Sequence, residues 1–181
     1  MPQQLVVSAL GHDRPGLVAW LSARIQEAGG NILDSRMTIL GGEFAVLLLV
    51  DGDAASLRVL NEALPAAAPS EGLVVQTRLT ESRAEPTRES VRAYRIEAMD
   101  HPGIVQRMAA FFSERQVNIE DLRTETYAAA HTASPLFAAE LTVRLSADMD
   151  PAELDAALHG FAERWSLVIQ PVEGNLSPPS P

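Results

Sequence analysis

Apolar residues recur along the chain with two alternating periods, and the switches between them mark out six elements that then occur a second time. Residues 5–10 form a short apolar run of strand length. Residues 14–28 carry Leu17, Leu21, Ile25 and Ala28 on one helical face, with Pro15 suited to a first turn and Gly29-Gly30 to an end, so a helix is predicted there. Residues 32–40 and 43–50 read as two strands around Gly41-Gly42, a pair that tolerates the positive φ of a tight hairpin. A second helix over 54–66 carries Leu57, Leu60 and Leu64 and is predicted to stop at Pro65 and Pro69, and 73–79 is a last strand. The order is βαββαβ.

The second copy repeats this order over 93–99, 101–115, 117–127, 136–145, 151–164 and 166–172, with Ile104, Met108 and Phe112 on one helix and Leu154, Leu158 and Phe161 on the other. Asp13-Arg14-Pro15-Gly16-Leu17-Val18 returns as Asp100-His101-Pro102-Gly103-Ile104-Val105. Asn31-Ile32-Leu33-Asp34-Ser35-Arg36 returns as Asn118-Ile119-Glu120-Asp121-Leu122-Arg123 at the same offset, with no gap. Phe44-Ala45 matches Phe137-Ala138 only after an insertion over 128–135, expected to be a longer hairpin loop. The expected fold class is α+β: two ferredoxin-like βαββαβ modules, each a four-stranded antiparallel sheet with two helices on one face. The modules are placed at 1–80 and 92–174. A polar, proline-broken linker is expected over 81–91 and a disordered tail over 175–181.

Composition narrows the function classes. The chain has 181 residues, 46% of them hydrophobic, yet no apolar run approaches the roughly 20 residues that span a bilayer. The start, Met1-Pro2-Gln3-Gln4, has neither the basic region nor the apolar stretch of a signal peptide, so a cytoplasmic protein without membrane contact is expected. With no cysteine there are no disulfides, thiolate nucleophiles or sulfur-ligated metals. A net charge of −10 repels a polyphosphate backbone and argues against direct nucleic-acid binding.

None of His12, His101, His131 and His159 sits at the helical spacing of a metal pair, so no metal site is expected. There is no Gly-x-Ser-x-Gly turn, no Gly-x-Gly-x-x-Gly and no lysine-bearing phosphate loop. Two modules, a linker and a tail use the whole chain. The expectation is therefore no catalytic residues, no cofactor and no enzyme, with a site between modules as the one route left to catalysis.

What recurs most strictly is polar and lies in loops, where function concentrates: Asp13, Arg14, Pro15 and Gly16 with Asn31, then Asp100, His101, Pro102 and Gly103 with Asn118. Free N–H groups at a helix start can take a carboxylate. Asp13 or Asp100 could accept from an ammonium, and an asparagine amide both donates and accepts. Together that is chemistry for a zwitterion. The alternative is structural: Asp13 and Asp100 as helix caps worth about 1 kcal/mol each, Gly16 and Gly103 for close packing, the asparagines shaping a turn, and Arg14 a solvated side chain. Within one module the loop and the asparagine should lie near opposite ends of the intervening helix, so a closed pocket would need two modules edge to edge. Exposed sheet edges also invite pairing between chains, and a homodimer is expected.

The Asp-x-Pro-Gly-[Leu/Ile]-Val loop, the helix after it and the Asn-Ile start of the next strand resemble the ACT domain, a family of ferredoxin-like amino-acid-sensing modules. The resemblance covers nearly the whole chain. It implies a ligand where the loop before a first helix meets the Asn-Ile position of a neighbouring module. Asp13, Pro15, Gly16 and Asn31 match that pattern, as do Asp100, Pro102, Gly103 and Asn118, although some amino-acid-binding members have asparagine at the positions of Asp13 and Asp100. Residues 9–18, 31–36 and 40–44 are similar more narrowly to repressor-like members that act by binding a separate DNA-binding activator. The implied function is a non-enzymatic regulator responding to glycine or another small amino acid, with a DNA-binding transcriptional activator as partner. The other implied function is a stand-alone regulator of an amino-acid metabolic enzyme.

Overall fold

A computed structural model of the chain describes residues 3–81, 91–129 and 134–172. The interior of the expected linker, the middle of the expected hairpin insertion and the expected tail lie outside these. The chain divides into two compact units, Met1–Ala84 and Glu85–Pro181. The first contains β1 (Gln3–His12), α1 (Leu17–Glu27), β2 (Asn31–Leu40), β3 (Glu43–Asp51), α2 (Ala54–Ala67), a 3-10 turn (Ala68–Glu71) and β4 (Leu73–Glu81). The second contains β5 (Val91–Met99), α3 (Ile104–Glu114), β6 (Asn118–Ala128), β7 (Pro135–Arg144), α4 (Pro151–Trp165) and β8 (Val168–Pro171).

Each unit is an antiparallel four-stranded sheet, ordered β2-β3-β1-β4 in the first and β6-β7-β5-β8 in the second. Alternation along the strands turns Leu5, Val7 and Ala9 of β1 and Phe44, Val46, Leu48 and Val50 of β3 onto one face, where Leu17, Leu21 and Ile25 of α1 and Leu57, Leu60 and Leu64 of α2 close the core. The second core repeats this with Tyr94, Ile96, Leu141 and Val143 under Ile104, Met108, Phe112, Leu154 and Leu158. Among the described residues the buried set is wholly apolar apart from the Tyr94 hydroxyl, which donates to Asp155 Oδ1 at 2.7 Å. The α+β, two-module, ferredoxin-like reading of the sequence holds.

Three local expectations are corrected. The helices predicted from Arg14 and His101 begin at Leu17 and Ile104, because Gly16 (φ 98°) and Gly103 (φ 93°) occupy the cap position in a left-handed conformation that cannot propagate a right-handed helix. Pro15 and Pro102 therefore lie in the turn before the helix rather than inside its first turn. Asp13 and Asp100 cap nothing, since neither helix start receives a side-chain hydrogen bond. The side-chain caps are Asp53, which accepts from Ser56 N–H at 2.7 Å, and Asp150, which accepts from Ala152 N–H at 2.9 Å. Those hydrogen bonds from Ser56 hold the Asp53 carboxyl below the usual carboxylate range.

The third correction concerns α2, which runs past Pro65 to Ala67. A proline there cannot donate to the carbonyl four residues back, which is that of Asn61. Thr77 of β4 supplies the missing donor, its hydroxyl bonding the Asn61 carbonyl at 3.0 Å. The helix then tightens into the 3-10 turn that carries Glu71 and hands over to β4 through Gly72 in a left-handed conformation.

Candidate functional site

The loop after β1 is built the same way in both modules. Asp13 N–H donates to the Gly42 carbonyl at 3.0 Å and Asp100 N–H to the Pro135 carbonyl at 2.9 Å, so each loop is moored to the hairpin beside it. The glycine then turns the chain into the helix, and its carbonyl accepts the first intrahelical bond, from Trp20 N–H at 2.9 Å or Arg107 N–H at 3.0 Å. With the backbone held from both sides, the aspartate side chains are left over. Neither Asp13 nor Asp100 has a side-chain hydrogen bond or ion pair among the described residues.

The asparagines open β2 and β6. Asn31 sits opposite Asp51 on β3, and Asn118 opposite Arg144 on β7. Each is followed by a β-bulge at the matching place, Leu33 in one module and Glu120 in the other, which twists the edge strand just beyond the asparagine. The side chains of Asn31 and Asn118 likewise have no partner among the described residues. Among the described residues these four recurrent polar side chains thus make no hydrogen bond or ion pair, although the backbone that carries them is bonded.

Loop and asparagine do not meet within a module. His12, next to Asp13, pairs with Glu43 at one end of β3, while Asn31 pairs with Asp51 at the other. At about 3.4 Å per residue the two are separated by about 27 Å. Asp100 and Asn118 stand at opposite ends of β7 in the same manner.

The two loops differ in their surroundings. In the first, the Arg14 guanidinium forms an ion pair with the Glu71 carboxylate and also reaches the Glu71 carbonyl at 3.2 Å. Arg14, expected as a solvated side chain, is a strut to the 3-10 turn. In the second, the His101 ring nitrogen lies 3.2 Å from the carbonyl of its neighbour Pro102, and the loop borders an open groove of about 550 Å³. Asp100, His101 and Gly103 form one rim, Gln106 and Ala109 of α3 a wall, and Thr126 of β6 with Phe137 of β7 the floor. Arg107 lies over the Trp165 ring at 4.1 Å. Gln106, Thr126 and Glu71 were not singled out in the sequence, because the repeat was read from identities between the copies and these positions differ or lack a counterpart; Phe137 was read only as a repeat position, the match of Phe44.

Among the described residues no three His, Cys, Asp or Glu side chains are grouped to hold a metal, and no helix is long and apolar enough to cross a membrane.

Comparison with known proteins places these features. The ACT domain family model matches residues 3–78. The glycine cleavage system transcriptional repressor of Escherichia coli is 28% identical over 84% of this chain and 80% of its own length. The UPF0237 protein MK1213 of Methanopyrus kandleri is 40% identical over 39% of this chain and 80% of its own length. Among solved structures, an unknown protein from Galdieria sulphuraria superposes with a TM-score of 0.80 at 29% identity, covering 97% of this chain and 100% of its own. A structure solved as a candidate glycine cleavage system transcriptional repressor shares the fold, with a TM-score of 0.73 at 22% identity, covering 95% and 97%. The recurrent loop and the βαββαβ order agree with the family match: the first module belongs to the ACT domain family, and the second repeats its fold.

Proposed function

We propose that this protein is a non-enzymatic cytoplasmic regulator that binds a small amino acid, glycine or one close to it in size, and passes the signal by contact with a DNA-binding transcriptional activator. The observation that carries this is the set of unpartnered side chains, Asp13, Asp100, Asn31 and Asn118, held at fixed places on bonded backbone. A carboxylate suits the ligand's ammonium, an amide suits its carboxylate, and the N–H groups at the starts of α1 and α3 add to the latter. Because loop and asparagine lie about 27 Å apart in one module, one small ligand cannot reach both residues of that module, and the second chain of a homodimer can supply the missing partner.

Two features support an output through protein contact rather than through nucleic acid. The chain carries a net charge of −10, which opposes phosphate binding. The sheet face that α1 and α2 leave uncovered exposes Leu10, Leu47 and Val74 at 52, 52 and 66%, an apolar surface of the kind that marks protein contacts. The relative from Escherichia coli is named as a transcriptional repressor, which favours an activator over a metabolic enzyme as the partner.

Affinity is bounded by ligand size. At about −1.5 kcal/mol per non-hydrogen atom, glycine reaches about −7.5 kcal/mol, a Kd of a few micromolar at best. The test is affinity capture from lysate of the organism that makes the protein, with and without the amino acid. Recovery of a DNA-binding protein in an amino-acid-dependent amount is expected. Recovery of a metabolic enzyme with no DNA-binding protein would contradict the proposal.

A further inference from the structure

The two sheets share a fold but differ on the face that their helices leave uncovered. We propose that this face of the first module is the contact through which two copies of the chain pair, sheet on sheet, about a two-fold axis parallel to the strands. The inference gives the homodimer an interface and does not rest on the amino-acid binding proposed above.

The second module supplies the comparison. On its outer face Arg95 of β5 ion-pairs with Glu97 at 3.1 Å and reaches Glu140 of β7 at 4.0 Å, the polar dress of a sheet face turned to solvent. At the same register positions the first module has Ser8, Leu10 and Leu47. Leu10, Leu47 and Val74 are each more than half exposed. One sheet therefore carries an ion-paired outer face and its repeat an apolar one.

Charge selects a second copy as the occupant. Cross-strand pairing sets Asp34, Leu49, Val6 and Arg78 in one row across β2, β3, β1 and β4, with Leu47 beside Ser8 in the next row and Ala45 beside Leu10 in the third. A two-fold axis along the strands, midway between β3 and β1, lays β2 of one copy over β4 of the other and keeps the rows in step. Leu49 then meets Val6, Ala45 meets Leu10, and Asp34 at one margin meets Arg78 at the other, twice by symmetry. Asp34 uses only Oδ1 within its own chain, accepting from Ser35 N–H at 2.7 Å and from Arg36 at 2.8 Å. Arg78 has no ion pair among the described residues. Stacked sheets lie about 10 Å apart, a gap that an aspartate and an arginine span together. A two-fold across the strands, centred on the same patch, would set Arg36 against itself. The net charge of −10 opposes association of copies in general, but the three rows hold one carboxylate, Asp34, against the guanidiniums of Arg36 and Arg78 and do not add to that repulsion.

The area sets the strength. Four strands about 4.8 Å apart, over about eight steps of about 3.4 Å, offer roughly 500 Å² per copy, or about 1,000 Å² over both, the lower bound for a specific contact. A micromolar dimer constant is expected. The axis keeps like ends of the two sheets together, so Asp13 of one copy does not approach Asn31 of the other across this face. A ligand bridging two copies would do so at another contact, and this dimer needs none. Any other protein that uses the face must displace the second copy.

Sedimentation velocity of the full chain without amino acid, from one to a few hundred micromolar, tests the proposal. A monomer–dimer equilibrium with a micromolar midpoint is expected. Leu10→Glu with Leu47→Glu, which gives the first face two charges that the second carries, should weaken dimerisation at least tenfold with an unchanged far-ultraviolet spectrum. Asp34→Arg and Arg78→Asp should each weaken it at least threefold, and together should return it to within twofold of the unsubstituted chain, because the exchanged charges meet across the axis. A monomer at every concentration, a dimer that survives the two glutamates, or charge reversals whose effects add instead of cancelling would overturn the proposal. Each of these results leaves the amino-acid binding standing, since ligand is absent throughout.

Discussion

Asp13, just past the end of β1, and Asn31, at the start of β2, lie at opposite ends of one sheet, in which β1 and β2 run parallel to each other on either side of β3. The same relation holds for Asp100 and Asn118 across β7. The proposed ligand therefore cannot take both residues from one module, and a ligand held between two chains would favour their association, the differential affinity that any ligand-driven switch requires.

The Arg14 and Glu71 side chains are 46 and 29% exposed, so solvent screening limits what their ion pair contributes to stability. A double-mutant cycle with Arg14→Ala and Glu71→Ala, followed by urea unfolding, should return a coupling of about 0.5–1 kcal/mol. A coupling of zero would mean that the strut does not hold in solution.

Gln116 adopts a left-handed φ of 56° at the position matching Gly29, whose φ is 81°. A side chain in that region costs about 1 kcal/mol, partly offset by the larger unfolded-state entropy of glycine. Gln116→Gly should therefore raise the stability of the second module by about 0.5 kcal/mol. Gly29→Ala should lower that of the first by more than 1 kcal/mol, because a Cβ there also meets Ser56 Oγ at 2.9 Å. Differential scanning calorimetry of the two variants checks both signs.

Burial, and then the hydrogen bond to Asp155, push the Tyr94 phenol well above its ordinary value. A group whose pKa is raised on folding contributes stability that is fully present below its unfolded pKa, about 10, and lost as pH rises through the folded value. The melting temperature should accordingly fall above about pH 10. Tyr94→Phe should cost about 1 kcal/mol at neutral pH and make the alkaline fall shallower. An alkaline profile unchanged by the substitution would place the titration elsewhere.

The repeat and the fold class were legible in the sequence because each element announces itself by period. Alternation in β1 and β3, the Leu17-Leu21-Ile25 face and the Gly41-Gly42 hairpin are local signals, and local signals agreeing with one another are what specify a fold. The candidate site residues were legible for a different reason: Asp, Pro, Gly and Asn recur in loops at one offset, the glycines among them also serving the turn into the helix. What could not be read depends on contacts distant in sequence. Pro65 looked like a helix stop because the Thr77 hydroxyl that satisfies Asn61 lies on another strand. Arg14 looked solvated because Glu71 lies 57 residues away. The aspartates looked like caps because φ at Gly16 and Gly103 decides where the helix starts, and that angle is not written in the spacing.

The proposed amino-acid binding is tested most directly by thermal unfolding of the full chain with each small amino acid in turn, beside Asn31→Ala and Asn118→Ala. Ligand at about 100 times its Kd should add about 2.7 kcal/mol of stability. The expected result is a rise in melting temperature with one or two small amino acids, abolished by one asparagine substitution although that residue lies far from the aspartate of its own module. A chain whose melting temperature no amino acid moves, or whose ligand-induced rise survives both substitutions, would contradict the account.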